Sequence, residues 1–134
     1  MAAFIIVAAL PAAAQQDSTA GYYLQSEKQI ERKEAGTHNG GGETVAYRFF
    51  EKTPGSTLQL TRRILEKGAA IGYHLQKEEE IYYVLSGNGE MNVNGKIFPV
   101  KSGDAVLTLP GNSHGIRQTG AEPLVLIINY KKKG

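Results

Sequence analysis

Four side chains near the middle of this chain have the types and spacing of a metal-binding set. In Gly72-Tyr73-His74-Leu75-Gln76 an imidazole and an amide stand two residues apart, and a β-strand sends residues i and i+2 to the same face. Leu75 then faces the other way. On the next apolar run Glu80, Tyr82 and Val84 share one face while Ile81, Tyr83 and Leu85 share the other. A carboxylate opening an apolar strand is costly to bury without a partner. His114 follows the corner Pro110-Gly111-Asn112-Ser113. Two imidazoles and one carboxylate are the donors of the facial arrangement that suits non-haem iron(II), with coordination positions left for water or substrate, and Gln76 can add an oxygen. The chain has no cysteine, which removes disulfides, thiolate ligands and cysteine nucleophiles, and with them the usual closed zinc site.

Each of these residues alone has a plainer reading. A single His74 or His114 is more often an ordinary hydrogen-bonded histidine than a ligand. Glu78-Glu79-Glu80 is most often a solvated acidic run, and Tyr82-Tyr83 is most often one core ring and one surface ring. The combined spacing is what favours a site, with Glu79 as the rival to Glu80. His38, in His38-Asn39-Gly40-Gly41-Gly42, reaches such a site only if the N-terminal arm folds over it or exchanges with a partner chain. Otherwise it is an exposed loop histidine.

The elements that must position these groups are short β-rich runs at 44–51, 57–66, 70–76, 80–86, 89–94, 96–100, 104–109, 113–118 and 123–130, separated by turn residues. That spacing describes an all-β sandwich or barrel. Asn94-Gly95 between two alternating runs is the strongest hairpin signal, because a type I′ turn needs φ > 0 at both central residues. Ahead of these runs, Ser26-Glu27-Lys28-Gln29 has the spacing of a capping box and Gly36 supplies a stop, which predicts a short helix over 26–35.

At 134 residues and 41% hydrophobic content, the chain suits one domain with its own core. The formal net charge is +2, yet Lys131, Lys132 and Lys133 close the chain, and the other 12 basic residues against 13 acidic ones leave a body near −1. Three terminal lysines are usually a solvated tail, so neither a nucleic-acid nor a membrane partner is expected. The run Phe4–Leu10 followed by Pro11-Ala12-Ala13-Ala14 reads as a secretion signal cleaved after Ala14. That run is too short for a bilayer span of about 20 residues. The expected organisation is a signal peptide at 1–14, an N-terminal arm at 15–43, a barrel at 44–130 and a basic tail at 131–134, in a periplasmic or secreted protein.

The pattern Gly68-x5-His74-x-Gln76-x3-Glu80-x6-Gly87 resembles the first motif of the cupin superfamily, with Gln76 where that family usually has its second histidine. Gly103 to Gln118, with Pro110-Gly111 and His114, looks like the second motif, although the proline comes one residue late and Gln118 replaces an asparagine. The stretch Ile71 to Glu90 is similar to the small, single-domain members of the Cupin_2 group. The resemblance implies an all-β double-stranded β-helix, or jelly-roll barrel, preceded by the short arm. It implies His74, Glu80 and His114 as ligands of a divalent metal (iron, manganese, nickel, cobalt or zinc), with Gln76 at the place of the missing histidine and a weaker donor for it. The function it implies is a metal-dependent enzyme on a small oxygenated substrate, of dioxygenase, isomerase or lyase type. A non-catalytic periplasmic module for a metal or small ligand, and a metal-free sugar epimerase with a histidine base and a tyrosine acid, are the alternatives. Tyr82 is the candidate catalytic side chain. Tyr73 and Arg117 are candidates for the pocket wall that strict alternation turns outward unless a bulge intervenes. A homodimer formed through the N-terminal strands is expected, because an open sandwich leaves edges to cover.

Overall fold

The structure is a computed structural model that describes residues 16–17 and 19–133. The segment read as a secretion signal lies outside the described residues. The elements in chain order are β1 (Gln16–Asp17), β2 (Tyr22–Tyr23), α1 (Glu27–Ile30), β3 (Glu31–Ala35), β4 (Glu43–Phe49), β5 (Leu58–Leu65), β6 (Ala70–Gln76), β7 (Glu80–Ser86), β8 (Asn88–Val93), β9 (Lys96–Lys101), β10 (Ala105–Thr108), β11 (Asn112–Thr119) and β12 (Leu124–Lys131). A six-stranded sheet, ordered β10-β7-β12-β5-β4-β3, faces a four-stranded sheet, ordered β6-β11-β8-β9, and β1 pairs with β2 separately. Every pairing is antiparallel. This is the all-β jelly roll expected. The Asn94–Gly95 turn has φ of 52° and 86°, the left-handed pair that a type I′ hairpin demands.

The helix expected over 26–35 stops at Ile30. Its capping interaction is present, with the Ser26 N–H donating to Gln29 Oε1 at 2.8 Å. Residues 31–35 instead add a strand to β4, in the register Glu31↔Tyr47 to Ala35↔Glu43. A helix there had only Ile30 and Ala35 to bury. As a strand the same residues find long-range partners: Tyr47 Oη donates to Glu31 Oε2 at 2.9 Å, and Glu34 accepts from both Arg48 and Arg63.

Inward-facing rows run from polar to apolar along the barrel. On β5 they read Gln59, Thr61, Arg63, Leu65, and on β7 Glu80, Tyr82, Val84, all buried. The register aligns Tyr130 with Gln59 and Glu80, Ile128 with Thr61 and Tyr82, and Leu124 with Leu65. The apolar end, with Leu65, Met91, Leu124 and Leu126 fully buried, is the core. A leucine so placed contributes about 2 kcal/mol. At the polar end, every buried side-chain nitrogen and oxygen among the described residues has a partner, which is what makes burial of Gln59, Thr61 and Arg63 tolerable. Gln118, at the family's asparagine position, closes a turn: its Oε1 accepts from Gly68 N at 2.9 Å, and its Nε2 donates to the Gly120 and Glu122 carbonyls.

Candidate metal centre

His74 and His114 are direct cross-strand neighbours on β6 and β11. Between His114 and Ile116 the register shifts, so that Ile116 faces Ile71. This bulge brings both Ile71 and His74 to the inside, although they differ in parity. Tyr73 and Leu75 point outward, 54% and 55% exposed. Glu80 enters from β7 on the opposite sheet. Ligand-type atoms of His74, Glu80 and His114 all lie within 4.8 Å of one another. The two sheets thus meet at the cluster.

Each imidazole is held by its Nδ1. His74 Nδ1 lies 2.7 Å from the Gly72 carbonyl oxygen, to which it donates. His114 is wholly buried, with Thr108 Oγ1 2.7 Å from Nδ1, and its Nε2 lies 3.1 Å from Glu80 Oε2. The carbonyl partner on Nδ1 fixes His74 in the tautomer that leaves Nε2 as donor to a cation, and the Thr108 hydroxyl is able to accept from His114 Nδ1 in the same way. Two such nitrogens and a buried carboxylate are a donor set that fits a divalent ion. Glu79 is exposed while Glu80 is buried, so alternation separates the two rivals.

Gln76 lines the same cavity, half-buried, and its side-chain amide makes no hydrogen bond to another described residue. Tyr82 is 2% exposed, with its hydroxyl 3.4 Å from His114 Nε2. Burial, and after it the Glu80 charge, raises the Tyr82 pKa well above its usual value, so this phenol keeps its proton. Arg117 is turned outward, its side chain 61% exposed and paired with Glu90. It is not in the pocket wall, in keeping with its odd parity.

Above the cluster lies a cavity of about 460 Å³, inside the range typical of small-molecule sites. Its wall carries five Lys or Arg side chains against two glutamates. Three groups there go beyond the ligand set read from the sequence, which named His38 only as reaching the site if the N-terminal arm folds over it. Arg48 and Arg63 share the carboxylate of Glu34, and Arg48 also lies 3.9 Å from that of Glu51. Lys131 and Lys133, read as a solvated tail, line the cavity mouth, and Lys132 Nζ donates to the Phe50 carbonyl oxygen at 2.5 Å. His38 also lines the cavity, its ring stacked on that of His74 with centroids 3.5 Å apart and planes 5° from parallel. Desolvation of this ring, and then its neighbour His74, lowers the His38 pKa.

A two-sheet jelly roll with a His–Glu–His cluster at the polar end of its barrel places the chain among the jelly-roll β-barrels that carry an inward-facing donor cluster. The chain belongs to the cupin domain family, which it matches over residues 61–130. It is 33% identical over 103 residues to an oxalate-binding protein of Thermotoga maritima, covering 75% of this chain and 85% of that one. The crystal structure of a protein from Thermotoga maritima, described as a predicted oxalate decarboxylase, superposes with a TM-score of 0.71 at 29% identity, covering 82% of this chain and 99% of that one. The fold also matches the Cnp3 cupin domain of Schizosaccharomyces pombe, with a TM-score of 0.60 at 20% identity and coverage of 67% and 61%.

Proposed function

We propose that this protein is a metal-dependent site for a small dicarboxylate of about the size of oxalate, with His74, Glu80 and His114 as ligands and Gln76 as a weaker fourth. The observation that carries this reading is a set of three converging donors at the floor of a cavity whose wall bears excess positive charge. The 33% identity to an oxalate-binding protein supports the choice of anion. A divalent ion at these ligands would supply Lewis-acid polarisation of a bound carboxylate. The chain's own residues do the rest. Arg48 and Arg63 attract the anion, and the apolar rings and aliphatic groups around the floor exclude water. Tyr82, held protonated, offers a hydrogen bond or a proton beside His114.

The test is calorimetric titration with oxalate after stripping the protein and reloading it with manganese, iron, cobalt, nickel or zinc. Oxalate binding that requires a metal supports the proposal. Undiminished binding by fully stripped protein would instead favour the metal-free epimerase reading. Within the same series, Gln76→Ala is expected to weaken metal affinity by about tenfold, worth about 1.4 kcal/mol, without abolishing uptake. Complete loss of metal would show that Gln76 is a principal ligand. Turnover is the second reading, favoured by the proximity of the Tyr82 hydroxyl to His114.

Location and assembly belong to the proposal too. The support for a periplasmic or secreted protein is the Phe4–Leu10 run with its small residues after it. For a homodimer, the support lies on the outer face of β7 and β10 rather than at the N-terminal edge. Ile81, Tyr83, Leu85 and Leu107 are all large, apolar and exposed there, whereas β3 presents Glu31, Arg32, Lys33 and Glu34, charges that blunt an edge. Light scattering should give a dimer mass for the wild type and a monomer mass for Tyr83→Lys. An unchanged mass in the variant would exclude this face.

A further inference from the structure

The loop joining β3 to β4, residues Gly36–Gly42, is pressed against the free edge of β6. Gly72 N donates to the Thr37 carbonyl oxygen at 2.9 Å, and Ala70 N donates to that of Gly41 at 3.2 Å. This approach tolerates no side chains. A Cβ at Gly36 would stand 1.9 Å from the Ala70 carbonyl oxygen, one at Gly40 would stand 2.0 Å from the same atom, and one at Gly72 would stand 1.9 Å from the His38 carbonyl oxygen. Within the loop, His38 and Asn39 hold φ of 53° and 59°, a left-handed pair that non-glycine residues adopt at a cost of about 1–2 kcal/mol each. Three glycines and two strained residues therefore fix one side chain, that of His38, flat on the ring of His74.

Stacking alone does not account for the residue type, since any aromatic ring could cover His74. What histidine adds is ring nitrogen. Among the described residues no group hydrogen-bonds the His38 imidazole, whereas the Nδ1 atoms of His74 and His114 both have oxygen partners. The ring borders the cavity above the cluster, on the same wall-lined space as Arg63.

We propose that His38 is an anion-contacting residue, which the Gly36–Gly40–Gly72 clamp places so that its imidazole hydrogen-bonds the outer oxygens of the small dicarboxylate held in the cavity. This rests on the reading given under Proposed function. The loop thereby makes the N-terminal arm part of the binding site.

The test is oxalate titration of metal-loaded wild type, His38→Phe and His38→Gly, with metal content measured on each. His38→Phe keeps a flat ring over His74 and removes the nitrogens. His38→Gly removes the ring and accepts the left-handed backbone, so it reports even if the phenylalanine variant folds poorly. Both variants should retain metal at the wild-type ratio and bind oxalate at least tenfold more weakly. Wild-type affinity in either variant overturns the proposal, as does loss of metal from His38→Gly, which would make His38 part of the metal set. A wild-type protein that takes up metal and no oxalate overturns the dicarboxylate reading and this one together. Weakened binding confined to the variants separates the two.

Discussion

Replacing His114 by alanine is expected to abolish the proposed stoichiometric metal uptake and to lower folding stability by about 3 kcal/mol. The residue is wholly buried and meets three polar groups: Thr108 at Nδ1, and Glu80 and Tyr82 at Nε2. Truncation removes one of the three donors of the cluster. It also leaves Glu80, only 7% exposed, without its partner at His114 Nε2, and opens a void the size of an imidazole. Two measurements check this: elemental analysis of the purified variant and a urea unfolding curve. Full metal occupancy in His114→Ala would sink the ligand assignment whatever the stability. A stability loss below about 1 kcal/mol would mean that Glu80 and Tyr82 find water when the ring is removed.

Gly72→Ala is expected to cost more than about 2 kcal/mol, because two backbones must separate rather than one flexible side chain shift. A methyl group there meets the His38 carbonyl oxygen at 1.9 Å, and the hydrogen bond from the amide of residue 72 to Thr37 is broken with it. Amide exchange at position 72 should accelerate with the loss of stability, while Asn94 N, bonded to the Ser113 carbonyl oxygen at the far side of β11, keeps its protection. A Gly72→Ala protein as stable as wild type would show that the loop does not lie against β6. The φ-positive turn at Gly95 has nothing within 4 Å of the place a methyl group would occupy, so it does not share this sensitivity to contact.

Much of the barrel was legible because period-2 patterning and turn chemistry are local. The alternation that sends Glu80 and Tyr82 inward also turns Glu79 and Tyr83 outward, and Asn94-Gly95 specifies its own backbone. Three features were beyond local reading. Residues 31–35 became a strand because their partners, Tyr47, Arg48 and Arg63, come from later in the chain. On β5 the usual rule selects the wrong face: Leu58 and Leu60 are exposed while Gln59, Thr61 and Arg63 are buried. The register there is set by neighbours and by the cavity that the polar face lines. His38 was legible as reaching the site only on the condition that the N-terminal arm folds over it, since its position depends on Gly40 and Gly72 meeting across sequence. The available signal was glycine at positions on both sides of that contact.

The cluster draws its donors from both sheets, His74 and His114 from one and Glu80 from the other, in a chain with no disulfide. An ion held by these donors would also be a reversible cross-link between the two halves of the sandwich. By mass action, each tenfold rise in free ion above the dissociation constant adds about 1.4 kcal/mol to the folded state. The melting temperature of this protein would then serve as a gauge of the free metal around it.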